Sequence, residues 1–349
     1  MVQHEKYIQR CLELAQLGVG AVSPNPMVGA VVVLNDRIIG EGYHQKYGEA
    51  HAEVKAINQV IESFPDAAGI LKQATIYVSL EPCAHYGKTP PCADLIIKHQ
   101  IPNVVVGCRD PFAQVDGKGI EKLKEAGIKV ITSVLEKECQ WLNRRFFTRV
   151  QKHRPYVILK WAQTADGFFA PDDNSQFWIT GEESRRLVHQ WRAEEDAILI
   201  GKNTAAIDNP RLNVRYAQGR APKRVVIDRR LKLDPTLNLF DQSVETLVFN
   251  ELKTDVDDKI KYIALEDFDR YVPQYILFQL YLQDIQSVII EGGATTLNSF
   301  IEAGLWDEAR IFTGDKELKK GIKAPQVQGR LAGEYSSGDD KLRVFVNEN

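Results

Sequence analysis

One histidine, one glutamate and two cysteines between residues 51 and 92 constrain this chain more than any other feature. His51 lies two residues before Glu53, and Cys83 and Cys92 follow with eight residues between them. One imidazole and two thiolates supply three protein ligands to a tetrahedral zinc ion and leave a fourth position for water. Glu53 then remains available to move protons at that water, whose pKa zinc lowers to about 7. The pattern predicts a hydrolytic site with one Zn²⁺ per chain.

The spacing of these residues also predicts their local structure. Residues two apart lie about 200° apart around a helix, so His51 and Glu53 cannot share its side face. They converge where the first turn of a helix points end-on at the metal, and an apolar stripe with helical spacing begins at Ala52. Cys92 opens a second helical run, whose N-terminus favours a thiolate, and Cys83 follows an apolar strand. We expect the metal where two helix starts meet a strand end.

The remaining cysteines and histidines have plainer interpretations. Five cysteines in 349 residues, without a signal-like segment, favour a reducing cytoplasm and free thiols. Cys11, Cys108 and Cys139 each lie in an apolar run and are expected in the core. His85, between the two ligand cysteines, could compete as a metal ligand or contact substrate, and both alternatives stay open. The other histidines outside the motifs are expected to be solvated or capping residues: His4, His99, His153 and His189.

Charge and hydropathy narrow the class of partner. A net charge of −3 provides no basic surface of the kind that nucleic acid requires, and no run of eighteen apolar residues could span a membrane. We therefore expect small-molecule substrates, no nucleic-acid partner and no membrane partner. A nucleic-acid-editing enzyme shares the zinc pattern and stays an alternative, which salt-sensitive binding of oligonucleotides would favour. A binding module is less favoured, because a structural zinc fills all four positions with protein ligands.

Helical and strand patterns alternate through both halves of the chain, which indicates two α/β domains, placed at residues 1–147 and 148–349. The first half predicts helices at 4–17, from 51, 92–98 and 118–126, with strands at 28–34, 37–40, 75–80, 104–106 and 129–131. The first two strands are predicted to form a hairpin through Asn35 and Asp36. The second half predicts helices at 182–192, 273–282 and 295–303, with strands at 156–162, 197–200, 224–227, 246–249, 287–290 and 309–312. Such alternation predicts largely parallel sheets between helices, with functional loops after the strands.

The second half contains one turn suited to a phosphate. Glu291 and two glycines lie between an apolar strand and a helix. Glycines allow close approach of the backbone, and the helix start supplies N–H groups and a positive dipole. The strand-linked Gly-x-Gly-x-x-Gly fingerprint is absent, so an ordinary Rossmann domain is not supported. A turn of this kind can equally be a plain helix cap.

The His-x-Glu and Pro-Cys motifs resemble the zinc-dependent nucleobase and nucleoside deaminases. The wide cysteine spacing, with Asn25-Pro26 and Gly42-x-His44, resembles one branch, the bifunctional riboflavin-biosynthesis pyrimidine deaminase/reductase family. The resemblance implies a cytidine-deaminase-like α/β/α sandwich in which Glu53 is catalytic. It also supports a substrate contact by Asn25, whose amide can donate to and accept from a base edge.

The second half is similar to the reductase half of the same family, which resembles dihydrofolate reductase in fold and uses NADPH. The resemblance implies dinucleotide contacts from Ala162, Trp178, Thr204, Asp208, Gly293, Ala294, Thr295, Thr296, Leu297, Asn298 and Ser299. It implies substrate contacts from Ser175, Arg192, Leu212, Arg215 and Glu291.

The two arginines also have a physical basis as substrate ligands. Guanidinium forks bind phosphate oxygens, so Arg192 and Arg215 suit a ribosyl phosphate, although both could be surface ion-pair partners. The resemblance implies deamination of a phosphoribosyl pyrimidine followed by reduction of its ribosyl chain. We also expect a homo-oligomer, either a dimer or a tetramer. A deaminase whose second domain does not reduce stays open.

Overall fold

The computed structural model describes residues 2–84, 86, 90–173 and 175–348, with side chains from residue 4 onward. Its contacts divide the chain into two compact units, residues 1–152 and 153–349. No helix in the described ranges combines the length and the apolar character needed to cross a bilayer.

The first unit contains seven described helices and one five-stranded sheet. The helices are α1 (Val2–Gln16), α2 (Ala52–Ser63), α3 (Ala67–Leu71), α4 (Cys92–Lys98), α5 (Lys118–Glu125), α6 (Glu136–Leu142) and α7 (Arg144–Lys152). The strands are β1 (Gly29–Leu34), β2 (Arg37–Tyr43), β3 (Thr75–Leu80), β4 (Asn103–Cys108) and β5 (Lys129–Ile131), in the sheet order β2-β1-β3-β4-β5. The domain division predicted at residues 147 and 148 falls inside α7.

The hairpin predicted through Asn35 and Asp36 is confirmed, and the sheet is parallel only in part. Strand β1 pairs antiparallel with both β2 and β3, whereas β3, β4 and β5 are parallel. For β1 and β2 the cause is local, because only Asn35 and Asp36 connect these strands, with φ values of 48° and 60°. A connection of two such residues can join only antiparallel strands.

Helices cover both faces of the sheet. Alternate strand residues point to opposite faces, so Val32 and Val78 pack against α2 and α4, while Val31 and Tyr77 pack against α1 and α6. The first unit is therefore the α/β/α sandwich that the resemblance implied. The carboxyl ends of β3 and β4 lie at one edge of this sheet, where parallel α/β folds bind ligands.

The second unit is built on a ten-stranded sheet. Its helices are α8 (Glu182–Glu194), α9 (Lys202–Asp208), α10 (Val272–Leu282) and α11 (Ala294–Glu302), with a 3₁₀ turn at Asn238–Phe240. The strands are β6 (Tyr156–Gln163), β7 (Phe168–Ala170), β8 (Ala197–Gly201), β9 (Lys223–Ile227), β10 (Thr246–Asn250), β11 (Asp255–Asp257), β12 (Ile260–Ala264), β13 (Ser287–Gly292), β14 (Glu308–Thr313), β15 (Ile322–Lys323), β16 (Arg330–Ser337) and β17 (Asp340–Val346). The sheet order is β11-β12-β10-β9-β8-β13-β6-β14-β17-β16, and β7 pairs separately with β15.

Seven neighbouring strands of the large sheet, from β12 to β14, are parallel, and the strands beyond them are antiparallel. The central strands are buried on both faces, which explains why their sequences read as continuous apolar runs. The short or exposed elements β7, α9, β11, β12, β15 and β16 were not predicted, because they carry little apolar periodicity. The tail beyond residue 314 nevertheless completes the sheet through β17, which pairs with β14.

Candidate active sites

The three predicted metal ligands converge at one point of the first unit. His51 immediately precedes α2, Cys83 follows β3, and Cys92 is the first residue of α4. The Nδ1 atom of His51 lies 3.6 Å from the Sγ of Cys83 and 3.4 Å from the Sγ of Cys92. All three ligand atoms lie within 4.8 Å of one another. Two helix starts and a strand end therefore meet here, in the arrangement expected from the spacing.

The donor distances suit a zinc ion. Zn–S bonds of about 2.3 Å and Zn–N bonds of about 2.0–2.1 Å at tetrahedral angles place sulfur and nitrogen about 3.5 Å apart, and the observed distances bracket that value. The backbone N–H of Cys92 donates to the Sγ of Cys83 over 3.3 Å. Hydrogen bonds from the Cys92 and His51 side chains lower the pKa of Cys83 to about 4, which favours the thiolate that binds metal. His85, the alternative ligand, lies outside the described residues.

Glu53 lines the same cavity as His51 and Cys83 and is only 3% exposed. Burial raises the pKa of its carboxyl group above the ordinary value, and the charge of His51 opposes that shift. A carboxyl group whose pKa moves towards neutrality can both accept and return a proton, which general acid–base catalysis requires. The cavity measures about 360 Å³, a size suited to a small molecule.

Asn25 lies on the cavity wall and is oriented by a buried histidine. His44 is 3% exposed, and its Nδ1 lies 3.3 Å from the carbonyl oxygen of Ala50. Since Nδ1 must donate to that carbonyl, Nε2 accepts from the Nδ2 of Asn25 over 3.0 Å. Burial also lowers the pKa of His44, which favours this neutral form. The Oδ1 of Asn25 therefore remains available as an acceptor for a substrate amine.

Two carboxyl groups of the cavity wall escaped the sequence analysis. Glu81 is 4% exposed and accepts backbone N–H groups from Asp110, Gly117, Gly119 and Ile120 over 3.0–3.3 Å. Asp110 is 6% exposed, and burial raises its pKa to about 7. Both follow a buried strand of the parallel part of the sheet by one or two residues. An acidic residue directly after such a strand was the signal that could have identified them.

In the second unit, a cavity of about 440 Å³ lies where β8, β9 and β13 end. It brings together the predicted positions Ser175, Thr204 and Asp208 with the turn formed by Gly293, Ala294, Thr295 and Thr296. Gly292 has φ of +133°, a backbone conformation open to glycine and costly for other residues. The start of α11 supplies backbone N–H groups at this turn, so the cavity suits the phosphates of a dinucleotide. Phe169, Lys202 and Arg229 also line it and were not predicted.

Several predicted contacts lie away from this cavity. Leu297 and Leu212 are 0% and 3% exposed and belong to the hydrophobic core. Ala162 lies in β6, opposite Phe312 of β14, and Trp178 is 56% exposed. Asn298 and Ser299 follow the cavity-lining residues along α11. A dinucleotide contact by Leu297, or a substrate contact by Leu212, would have to involve backbone atoms.

The guanidinium of Arg192, predicted to bind a phosphate, is paired with Glu291. The Nε atom of Arg192 donates to Oε1 of Glu291 over 3.0 Å, and Nη2 donates to Oε2 over 2.7 Å. Burial raises the pKa of Glu291, but the charges of Arg192 and Lys160 outweigh it and hold that pKa at about 2. Burial lowers the pKa of Lys160 itself. The Nε and Nη2 donors of Arg192 are thus both occupied by the Glu291 carboxylate.

The prediction that His189 is a solvated or capping histidine is wrong. Its ring is 4% exposed, and its Nδ1 accepts the backbone N–H of Arg215 over 3.2 Å. His189 precedes Arg192 by three residues on α8, so both side chains lie on one face of that helix. The apolar pattern of α8 did not reveal this burial, because the histidine packs through polar contacts with a distant loop.

Comparisons with known proteins match both domains. Residues 1–108 match the family described as the cytidine and deoxycytidylate deaminase zinc-binding region, and residues 155–317 match the RibD C-terminal domain. The riboflavin biosynthesis protein RibD of Aquifex aeolicus is 39% identical over 91% of this chain and 88% of its own length. The corresponding protein of Bacillus amyloliquefaciens is 41% identical over 88% of this chain and 83% of its own length.

Solved structures show the same likeness across both domains. A diaminohydroxyphosphoribosylaminopyrimidine deaminase/5-amino-6-(5-phosphoribosylamino)uracil reductase from Thermotoga maritima superposes with a TM-score of 0.90 at 37% identity, covering 99% of each chain. RibD from Acinetobacter baumannii gives a TM-score of 0.89 at 33% identity and covers 100% of this chain and 99% of its own.

The fold and the sites define a bifunctional enzyme, with a zinc-binding deaminase domain followed by a reductase domain of the NADPH-dependent type. The chain belongs to the riboflavin biosynthesis protein RibD family. The two-domain α/β fold class implied by the resemblance is thereby confirmed, as are the hydrolase and oxidoreductase classes of activity.

Proposed function

We propose that the chain catalyses two consecutive reactions on one phosphoribosyl pyrimidine. The first is hydrolytic deamination of 2,5-diamino-6-(5-phosphoribosylamino)pyrimidin-4(3H)-one. The second is NADPH-dependent reduction of the ribosyl chain, which yields 5-amino-6-(5-phosphoribitylamino)uracil. The convergence of His51, Cys83 and Cys92 on one point, with Glu53 in the wall of the adjoining cavity, carries this proposal. The name of the Thermotoga maritima relative, which spans both domains of this chain, supports the substrate assignment.

In the deaminase domain, His51, Cys83 and Cys92 hold the zinc ion, which when bound acts as a Lewis acid and lowers the pKa of water. Glu53 accepts a proton from the attacking water and delivers it to the ring nitrogen. It then transfers the second proton to the departing amine, so that water and the amine become a ring carbonyl and ammonia. Asn25, fixed by His44, binds the edge of the pyrimidine.

In the reductase domain, the cavity at Thr204, Asp208 and Gly293 binds the dinucleotide. NADPH supplies the hydride, and the protein contributes chiefly by positioning the reactants. Further dinucleotide contacts are proposed from Ala162 and Trp178 and from the remaining residues of the turn: Ala294, Thr295, Thr296, Leu297, Asn298 and Ser299. The substrate is held by Ser175, Arg192, Leu212, Arg215 and Glu291.

A paired assay tests both reactions and their order. Zinc-loaded protein is given the pyrimidine substrate and ammonia is measured; NADPH is then added and its absorbance is followed. Ammonia release followed by NADPH consumption is expected. Ammonia release without NADPH consumption would support the deaminase assignment of the first domain and would exclude reduction by the second domain. Zinc-loaded protein that releases no ammonia would exclude the proposed substrate.

The dinucleotide site is tested by Gly293→Asp. The new carboxylate lies at the start of α11, where it repels a phosphate, and its Cβ would approach the Oγ1 of Thr204 within 3.2 Å. NADPH binding is expected to be lost, measured by fluorescence titration, while ammonia release stays unchanged. Equal loss of both activities would contradict two independent sites.

We also propose that the protein acts in the cytoplasm as a homo-oligomer, either a dimer or a tetramer. None of the five cysteines forms a disulfide, which suits a reducing compartment. Sedimentation velocity of the zinc-loaded protein distinguishes the two oligomers from a monomer of 39.5 kDa.

A further inference from the structure

Helix α8 anchors the loop formed by residues 209–216 through two side chains on one face. The Nδ1 of His189 accepts the backbone N–H of Arg215 over 3.2 Å, and the Nη1 of Arg192 donates to the carbonyl oxygen of Asn213 over 3.4 Å. The ring of His189 also meets the ring of Tyr216 edge-on, with centroids 5.0 Å apart. On the far side, buried Leu212 fastens the loop to the core. These contacts therefore fix the backbone position of Arg215.

The hydrogen bond to Arg215 defines the protonation state of the His189 ring. Because Nδ1 accepts a backbone N–H, it carries no proton, so the neutral ring carries its proton on Nε2. Burial, with the charges of Arg192 and Arg215, lowers the pKa of His189 to about 4, in agreement with this tautomer. The Nε2 atom lies 3.5 Å from the Nη2 of Arg215. Two N–H donors thus stand side by side, and neither can accept from the other.

The guanidinium group of Arg215 is able to bind an anionic ligand. Among the described residues it contacts the rings of His189 and Tyr216 and makes no salt bridge. Arg192, three residues along α8 from His189, is already satisfied by Glu291. An oxyanion is the ligand that can accept from both donors at once, and guanidinium–phosphate hydrogen bonds are among the stronger ones in proteins.

We propose that His189 is a phosphate-binding and positioning residue of the reductase site: Nδ1 anchors the backbone of Arg215, and Nε2–H joins its guanidinium in binding the substrate phosphate. This inference rests on the proposed function, in which Arg215 is one of the residues that hold the substrate. It assigns the phosphate to the pair His189 and Arg215, whereas Arg192 is held by Glu291 and orients the loop.

The test compares three single variants in the zinc-loaded, full-length protein. His189→Asn retains an acceptor near the position of Nδ1 and lacks Nε2–H, His189→Leu lacks both groups, and Arg215→Gln removes the cation. Reductase kcat and KM are measured with the deaminated phosphoribosyl substrate and with the same compound after removal of its phosphate. NADPH affinity and thermal unfolding are measured in parallel.

For His189→Leu we expect the KM of the phosphorylated substrate to rise by about tenfold or more, the effect of losing one charge-assisted hydrogen bond. We expect kcat to change less than about threefold, and His189→Asn to fall between the wild type and His189→Leu. The KM of the dephosphorylated compound should be the same in every variant. The double variant His189→Leu/Arg215→Gln should bind no more weakly than Arg215→Gln, because the two side chains act as one unit.

Each contrary result has a distinct meaning. An equal rise in KM for both compounds would show a purely structural role for His189 and would overturn the inference. An unchanged KM in His189→Leu, with a raised KM in Arg215→Gln, would overturn the inference and leave the proposed function intact. An unchanged KM in Arg215→Gln would instead contradict the phosphate assignment within the proposed function. His189→Asn provides the folded comparison if His189→Leu unfolds.

Discussion

Burial shifts the pKa of ionisable side chains in both sites, and their neighbours determine what each can do. Glu53 and Asp110 are both buried, and loss of hydration of the charged form raises the pKa of each carboxyl group, that of Asp110 to about 7. The Glu291 side chain is 9% exposed and so also largely buried, but the charges of Arg192 and Lys160 keep it ionised. At the scale of single residues, similar burial thus yields proton carriers in one domain and a permanent anion in the other.

Glu53→Gln tests the proton carrier. The amide keeps the shape of the side chain but cannot accept a proton from water, so deamination should fall by about 10²–10⁴-fold. Zinc content, measured by atomic emission, and NADPH-dependent reduction should stay unchanged. Glu62→Gln, an exposed position on the same helix, is the matched control. Near-normal deamination by a zinc-loaded Glu53→Gln protein would assign the proton transfer to another group.

The ion pair between Arg192 and Glu291 makes a pH-dependent contribution to stability. The pKa of Glu291 is about 2 in the folded protein, below its ordinary value of 4.5. Its contribution is therefore complete above about pH 4.5 and is lost as the pH falls towards about 2. Glu291→Gln should lower the free energy of unfolding by about 3–5 kcal/mol at neutral pH, because it leaves a buried guanidinium without its partner.

Urea denaturation of wild type and Glu291→Gln across pH 2–7 measures this contribution. The gap between the two unfolding free energies should narrow steadily below about pH 4.5. As a control, Glu302→Gln, at an exposed position of α11, should have the same free energy of unfolding as the wild type throughout this pH range. A gap that stays constant down to pH 2 would mean that the carboxylate does not titrate with the expected pKa.

At the scale of elements, both sites lie where strands end and helices begin. Of the proposed metal ligands, His51 immediately precedes α2, Cys92 begins α4 and Cys83 follows β3, while the turn proposed to hold the dinucleotide leads into α11. Glu81 links β3 to the start of α5 by accepting N–H groups that a helix start leaves unpaired. The loop after β4, which includes Asp110, is held in place by the same carboxylate.

Glu81→Gln should make the loop after β4, which includes Asp110, less stable. One carboxylate oxygen becomes an amide nitrogen, which cannot accept, so buried N–H groups lose their acceptor at a cost of about 1–3 kcal/mol each. We expect lower stability, a higher deaminase KM and faster hydrogen exchange at Gly117 and Gly119. The control is Glu125→Gln, because Glu125 is exposed at the end of α5. This variant should change the free energy of unfolding by less than about 0.5 kcal/mol. Unchanged exchange at both glycines would refute the anchoring role of Glu81.

At the scale of the whole molecule, each unit has its own hydrophobic core and its own site. The clusters that pack around the deaminase sheet contain no described residue beyond 147, and those around the reductase sheet begin at Tyr156. Each core is therefore complete within one unit. This separation predicts that the two activities can be removed independently.

Removal of zinc tests this independence. Prolonged dialysis against a chelator should abolish ammonia release, because no metal remains to activate water. NADPH-dependent reduction of the deaminated substrate should persist at the rate of the untreated protein, and added zinc should restore deamination. Loss of both activities after chelation would indicate that the reductase depends on the folded metal site.

The amino-acid sequence alone determined what depends on neighbours along the chain. The bounds of β3, α4 and β5 follow from local apolar periodicity, and the proposed metal ligands follow from the spacing of His51, Cys83 and Cys92. Tertiary structure decided what depends on distant partners. Examples are the pairing of Arg192 with Glu291, the burial of His189 against the 209–216 loop, and the addition of β17 to the sheet edge. A short-range pattern reports which face of an element is apolar, but the partner of a buried polar group is set by residues far away in sequence.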